Sequence, residues 1–180
     1  DYTPFPGSVC GGVCPNPCME GCTRNELDSP VQIGKLGSCS ADIRLESPVK
    51  RSGKHPGVIG GGVGGLTAAW QLARMGHKVT VYEADAHMGG KLEQVIPRER
   101  LNHDLLLKEL KRIEEMGVHF VTNCPVDAKR FAELRKKHDA LIVATGGHVP
   151  RIFPWPGHEK AVGGIDFLKA VNRGEKPRVP

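Results

Sequence analysis

From residue 57 onward, apolar residues come in short blocks, and their spacing switches repeatedly between strand and helix periods. Gly57-Val58-Ile59-Gly60 is a short apolar run ending in glycine, which predicts a buried strand entering a turn. Leu66 to Met75 reads as a helix, with Ala68, Ala69 and Ala73 small enough for close packing and Gly76 as its stop. Lys78 to Glu83 is a β-branched second strand. Asn102 reads as an N-cap, and Leu106, Leu110 and Ile113 follow at helical spacing until Gly117. Val118 to Val121 is a third strand. Asp127 caps a shorter helix carrying Phe131 and Leu134, with Lys136 and Lys137 in its last turn. Ala140 to Ala144 is a fourth strand that runs into Thr145-Gly146-Gly147. This alternation predicts an α/β fold: a Rossmann-like parallel sheet with helices on its faces.

The flanks read differently. Residues 1–30 are rich in Cys, Pro and Gly and show little strand or helix period, so a small helical or loop segment precedes the sheet. Residues 31–56 are a mixed connector ending in a polar, basic stretch. The tail, 148–180, holds five prolines and one short helix near Phe167 to Val171. The expected organisation is a cysteine-rich segment with connector at 1–50, a linker at 51–56, a nucleotide-binding unit at 57–150 and a connector at 151–180.

Composition narrows the function. A chain of 180 residues with 39% hydrophobic and 25% charged residues is long and apolar enough for one domain plus an appendage. The net charge of +5 is mild and comes without an aromatic platform, so nucleic acid is not nominated. No apolar run approaches the ~20 residues of a membrane span. The N-terminus has no initiator Met, charged start or apolar core of a secretory signal, which suggests a processed chain or a fragment.

Gly60-Gly61-Gly62-Val63-Gly64-Gly65 contains G-x-G-x-x-G at Gly60, Gly62 and Gly65, between a strand and a helix. In that context the first Gly makes a tight turn, the second lets the backbone approach a pyrophosphate and the third packs helix on strand. The N-terminus of the following helix offers unpaired N–H groups to the phosphates, and Val63 and Gly64 of the turn belong to the same candidate site. An acid about 20 residues on should hold the ribose hydroxyls, and Glu83 ends the second strand at that distance. The plain alternative is a glycine-rich turn without a ligand.

Cys10, Cys14, Cys18 and Cys22 lie four positions apart, among six cysteines in all. Pro15, Pro17 and Gly21 break any regular helix through them, so the backbone must loop. A looping run of thiolates suits an iron–sulfur cluster or a structural zinc, and spacing does not separate the two. Either belongs to a reducing, cytoplasmic setting rather than to a secreted disulfide framework. Cys39 and Cys124 read as buried or idle thiols. The eight histidines show no metal-ligand spacing, no nucleophile elbow is present, and Trp155 reads as packing for the connector.

Two stretches resemble known families. Glu83-x(5)-Gly89-Gly90-Lys91, followed downstream by Val143-Ala144-Thr145-Gly146, resembles the FAD domain of flavoproteins with two dinucleotide-binding domains. The resemblance implies FAD, with Gly90 and Lys91 near its diphosphate, Ala144, Thr145 and Gly146 closing over it, and Val126 at the adenine. The cysteine run, followed by Pro30-Val31-x-Ile33, resembles the N-terminal iron–sulfur region of the glutamate synthase small (beta) subunit and of dihydropyrimidine dehydrogenase. It implies [4Fe–4S] ligation, three of the four cysteines serving one cluster and the last another, completed by an upstream cysteine group. The segment after Gly90 is closer to the C-terminal part of dienoyl-CoA reductase and trimethylamine dehydrogenase.

The implied activity is oxidoreductase: electrons pass from NAD(P)H through FAD to iron–sulfur clusters and a redox partner subunit or domain. No acid–base catalytic residue is nominated, and the NAD(P)-binding domain is expected outside this stretch. Two alternatives stand beside this reading. One is the C-terminal region of a flavin-dependent enoyl-type reductase. The other is a non-catalytic docking module that binds zinc or nucleotide.

Overall fold

The computed structural model describes residues 4–5, 8–39 and 50–178, apart from the side chains of residues 8, 38 and 39. Four parallel strands form one sheet in the order β3-β2-β1-β4, with β1 Gly57–Ile59, β2 Thr80–Tyr82, β3 His119–Val121 and β4 Leu141–Val143. The register sets Val58 beside Val81 and Ile142, and Val81 beside Phe120. These side chains share one face, because successive residues of a strand point to opposite sides. The next row, Ile59, Tyr82 and Val121, lies on the other.

Each face has its own helices. α4 (Val63–Arg74) and α6 (His103–Glu115) cover the first, where Leu66, Trp70, Leu106 and Ile113 are fully buried with Val58 and Val81. Burying each such side chain contributes about 1.5–3 kcal/mol. α7 (Ala128–Lys137) covers the second with Leu134 and Phe131 against Ile59, Tyr82 and Cys124. β1 and β2 are buried at every position because both faces are covered. The expected caps are in place: Asn102 Oδ1 accepts from Asp104 N–H at 2.8 Å, and Asp127 Oδ1 from Arg130 N–H at 2.8 Å.

Three local features depart from the sequence reading. α4 starts at Val63 rather than Leu66, because Val63, Gly64 and Gly65 themselves form its first turn. A four-residue helix, α5 (Lys91–Gln94), follows Gly90; it is too short to leave a periodic signature. The cysteine segment is more helical than its composition suggests, with α1 (Ser8–Val13), α2 (Pro17–Glu20), a 3₁₀ turn (Thr23–Glu26) and α3 (Ile33–Cys39). Pro17 starts α2, where its missing N–H costs nothing. The connector at 40–49 lies outside the described residues.

The N-terminal segment is not separate from the sheet unit. Phe5 and Val9 belong to the same buried cluster as Trp70 and Leu106. Arg100 also donates to the Val13 carbonyl at 3.3 Å. At the other end, α8 (Gly164–Asn172) returns to α5, and Asn172 Nδ2 donates to Ile96 O at 2.9 Å.

A polar network closes the end of the sheet where β1 and β4 begin. His138 bridges the His55 carbonyl at 3.0 Å and the Tyr82 hydroxyl at 2.9 Å, and the two imidazoles meet edge-on at 4.4 Å. His55 Nε2 lies 3.0 Å from Thr80 Oγ1. Burial, then His138, Lys78 and Lys137, hold the His55 pKa below its ordinary 6.5, and Asp139 opposes them. A depressed histidine pKa means that the unfolded chain takes up the proton first. Stability is therefore complete above pH 6.5 and falls as the pH drops from there toward the lower folded value. Thermal unfolding between pH 8 and pH 5 should show this decline, and His55→Gln should flatten it. An unchanged slope in the variant would assign the acid sensitivity elsewhere.

Candidate functional site

The carboxyl ends of β1, β2 and β4 open into a cleft of about 640 Å³. Its floor is the glycine turn. The Gly60 N–H donates to Tyr82 O at 2.8 Å and the Ala144 N–H to Ile59 O at 2.8 Å, so the turn leaves a fully bonded strand end. Gly60 has φ +109°, and a Cβ there would stand 2.3 Å from Ala144 O. A Cβ on Gly65 would stand 1.9 Å from Gly60 O, so only a glycine lets α4 start this close to β1. Gly62 differs: a Cβ there would have no neighbour nearer than Gly90 Cα at 3.9 Å. Its missing side chain leaves open the space beside the helix start.

That space faces the N-terminus of α4. The first helical bond runs from Leu66 N–H to Gly62 O at 2.9 Å, and Gly62 offers no side-chain cap. The N–H groups of Val63, Gly64 and Gly65 thus precede the hydrogen-bonded ladder, at the positive end of the helix dipole. This is a place for phosphate oxygens.

Glu83 sits across the turn, 8% exposed. Its Oε2 accepts from Gly61 N–H at 2.6 Å and its Oε1 from Asp85 N–H at 2.9 Å. Each oxygen keeps a second lone pair for a hydroxyl donor. Glu83 therefore both ties β2 to the glycine turn and offers acceptors at the cleft.

A second glycine pair closes the near wall. Gly89 N–H donates to Gly61 O at 2.8 Å, and Gly90 (φ +53°) packs so closely that its Cβ would meet Gly62 Cα at 2.8 Å. Lys91 follows at the start of α5. On the far wall, Thr145 and Gly146 follow β4, and the Thr145 carbonyl accepts from His148 Nε2 at 2.6 Å. Val126 lines the cleft from the loop between β3 and α7.

The residues singled out from sequence thus come together. Gly60, Gly62, Val63, Gly64, Glu83, Gly90, Lys91, Val126, Ala144, Thr145 and Gly146 all line this cleft. Gly65 does not; it lies beneath, packed on Val58 and the Gly60 carbonyl. Sequence reasoning missed Asp85, Gln94, Cys124 and His148, which line the cleft too. Gln94 Nε2 donates to Asp85 Oδ2 at 2.5 Å at its rim. Asp85 and Cys124 follow strand ends, a positional signal that marks them only once the strand boundaries are fixed.

The cysteines behave otherwise. Cys10, Cys14 and Cys18 are exposed free thiols and Cys22 is partly buried. The backbone N–H groups of Val31 and then Arg24 hold the Cys22 thiol below its ordinary pKa, so its thiolate is favoured. Among the described residues, no three Cys, His, Asp or Glu side chains converge on a metal-sized point. As folded here, the segment does not by itself form a complete metal site. The separation has a plain cause. Cys10 lies on α1 and Cys18 on α2, and Asn16 turns the chain between them through the left-handed region, φ 55°.

Fold and cleft define a class: a doubly wound domain built to hold a dinucleotide at the carboxyl ends of its strands. Comparison with known proteins narrows it. Residues 58–108 match the family of NAD(P)-binding Rossmann-like domains. The chain is 34% identical over 167 residues to the NADH glutamate synthase of Schizosaccharomyces pombe, covering 87% of this chain and 8% of that protein. It is 34% identical over 178 residues to PreT, a subunit of the NAD-dependent dihydropyrimidine dehydrogenase of Escherichia coli, covering 94% of this chain and 43% of PreT. A solved variant of FprA from Mycobacterium tuberculosis shares the fold, with TM-score 0.53 and 19% identity, over 66% of this chain and 29% of that one. The chain is homologous to these NADH- and NAD-dependent oxidoreductase proteins, and it spans less than half the length of the two.

The two glycines flanking the turn separate folding from binding. Gly65→Ala should destabilise the chain by about 3 kcal/mol, because backbone must move. Gly62→Ala should leave thermal unfolding near wild type while weakening dinucleotide binding. Equal losses of stability in the two variants would contradict this division.

Proposed function

We propose that this chain is the FAD-binding part of an NAD(P)H-dependent iron–sulfur flavoprotein oxidoreductase. The observation that carries the reading is Glu83, bonded to the glycine turn of a β3-β2-β1-β4 sheet at the mouth of a cleft. The residues fit FAD. The start of α4 would take the diphosphate, Glu83 the adenosine ribose, and the backbone near Val126 the adenine. Gly90 and Thr145 give the cleft a second pair of walls beyond the fingerprint, which suits a ligand longer than a single nucleotide. Bound flavin would supply hydride acceptance and its release as single electrons. In this reading the chain's own residues bind and orient the cofactor.

The name of PreT, a dehydrogenase subunit, supports a redox partner for this chain. No helix among the described residues is long and apolar enough to cross a membrane. The clustered cysteine run is the reason for proposing a reducing, cytoplasmic setting. We assign Cys10, Cys14, Cys18 and Cys22 to [4Fe–4S] clusters completed by ligands from outside the described residues, in line with the unconverged thiols seen here.

Two measurements test the reading. FAD titrated into the chain, followed by flavin fluorescence, should bind more tightly than NAD or NADP. Glu83→Ala should weaken it by about 10- to 150-fold, the value of hydrogen bonds to a charged group. Tighter binding of NAD than of FAD would overturn the flavin assignment. Anaerobic reconstitution with iron and sulfide should give a broad visible absorption that dithionite bleaches and that Cys18→Ser reduces. Stoichiometric zinc in place of iron would favour a structural role for the segment.

A further inference from the structure

We propose that the outward face of α7 is a docking surface for a protein partner that presents an acidic face. The chain's net charge is not spread evenly. α7 carries Lys129, Arg130, Arg135, Lys136 and Lys137, all exposed, against a single acid, Glu133. Four of the chain's five net positive charges therefore lie on ten residues. Elsewhere, several basic side chains are paired: Arg24 with Asp28, Lys54 with Asp139, Arg98 with Glu93 and Arg173 with Glu175. Among the described residues, none of the five on α7 is in an ion pair.

The helix cannot turn this face away. Phe131 and Leu134 fix it to the sheet, and the Asp127 cap fixes its start. After burial and His138, Lys78 in the loop before β2 and Lys137 at the end of α7 both push His55 toward its neutral form, so the positive field extends past the helix end. Like charges held this close repel, and they gain most from a partner that neutralises them.

The pattern favours a protein over other polyanions. Asp127 and Asp139 bracket the helix and Glu133 interrupts it, so the positive charge is discontinuous and ends within about 15 Å. A polynucleotide or an anionic membrane carries charge past those limits and would run onto the carboxylates. α7 shows no exposed aromatic or large apolar side chain for base stacking or bilayer insertion. Spaced carboxylates on a folded surface can instead meet the cations between the acids, and Arg130 and Arg135 can bind them bidentately.

The test uses three labelled probes at low salt: a peptide with Glu at every third position, a single-stranded RNA of equal length, and phosphatidylserine-containing vesicles. The peptide should bind most tightly. Its affinity should fall as salt rises from about 0.01 to about 0.15 M, where the Debye length shrinks from about 30 to about 8 Å. Arg135→Glu with Lys136→Glu should weaken peptide binding about tenfold or more. Arg151→Glu with Lys160→Glu makes the same charge change on exposed residues elsewhere and should have a much smaller effect. Equal losses in the two double variants, absence of peptide binding, or tighter α7-dependent binding of RNA or vesicles would overturn the proposal.

Discussion

Three stretches of backbone converge where a methyl group does not fit, and the site depends on that convergence. The Gly60–Gly65 turn, the Gly89-Gly90 pair and the exit of β4 at Ala144 approach within distances that a Cβ would violate at Gly60, Gly65 and Gly90. Interiors are close-packed and tolerate little displacement. The approach therefore fixes the angle at which α4 leaves β1 and the height of Gly90 over Gly62. Glu83 then locks β2 to the same point through Gly61. Had any of these contacts been looser, the helix start would point away from the cleft and its free N–H groups would face solvent.

This explains what the sequence discloses and what it hides. Strand, glycine turn, helix, strand and acid are contiguous in the chain, and each has a local cause. That core of the fold and most of the cleft were legible before any coordinates. The helix boundary at Val63 was not, because glycine carries no helical signature and only the packed turn recruits it. Asp85 and Gln94 were hidden as well: their partnership joins a strand end to a four-residue helix with no periodic signature. The cysteine run shows the opposite failure. Its spacing is conspicuous, yet the fold spreads the thiols along two short helices and a loop, since proline and an αL asparagine set the chain direction there.

The cysteine segment is nevertheless held firmly in place. Phe5 and Val9 lie in the core that contains Trp70, and on α6 the partly buried Arg112 pairs with the buried Glu109, its guanidinium 4.9 Å from the Trp70 ring. The segment's position against α6 is set by the packing of Phe5 and Val9 in the shared core. Whatever the cysteines bind, they bind it on a scaffold already docked to the nucleotide unit.

The location of the cleft has a further cause in chain direction. β1 connects to β2 through α4 on one face of the sheet, whereas β3 connects to β4 through α7 on the other. Between the adjacent strands β1 and β4 the connections diverge to opposite faces. A gap at that point follows from topology alone. What would suit it to a dinucleotide, as proposed above, is chemistry at its rim: the positive helix end, where Gly62 leaves room, and a carboxylate on the neighbouring strand. The two ends of the cleft therefore differ in charge, positive toward phosphate and negative toward hydroxyl. A ligand with both groups in that order can enter in only one direction.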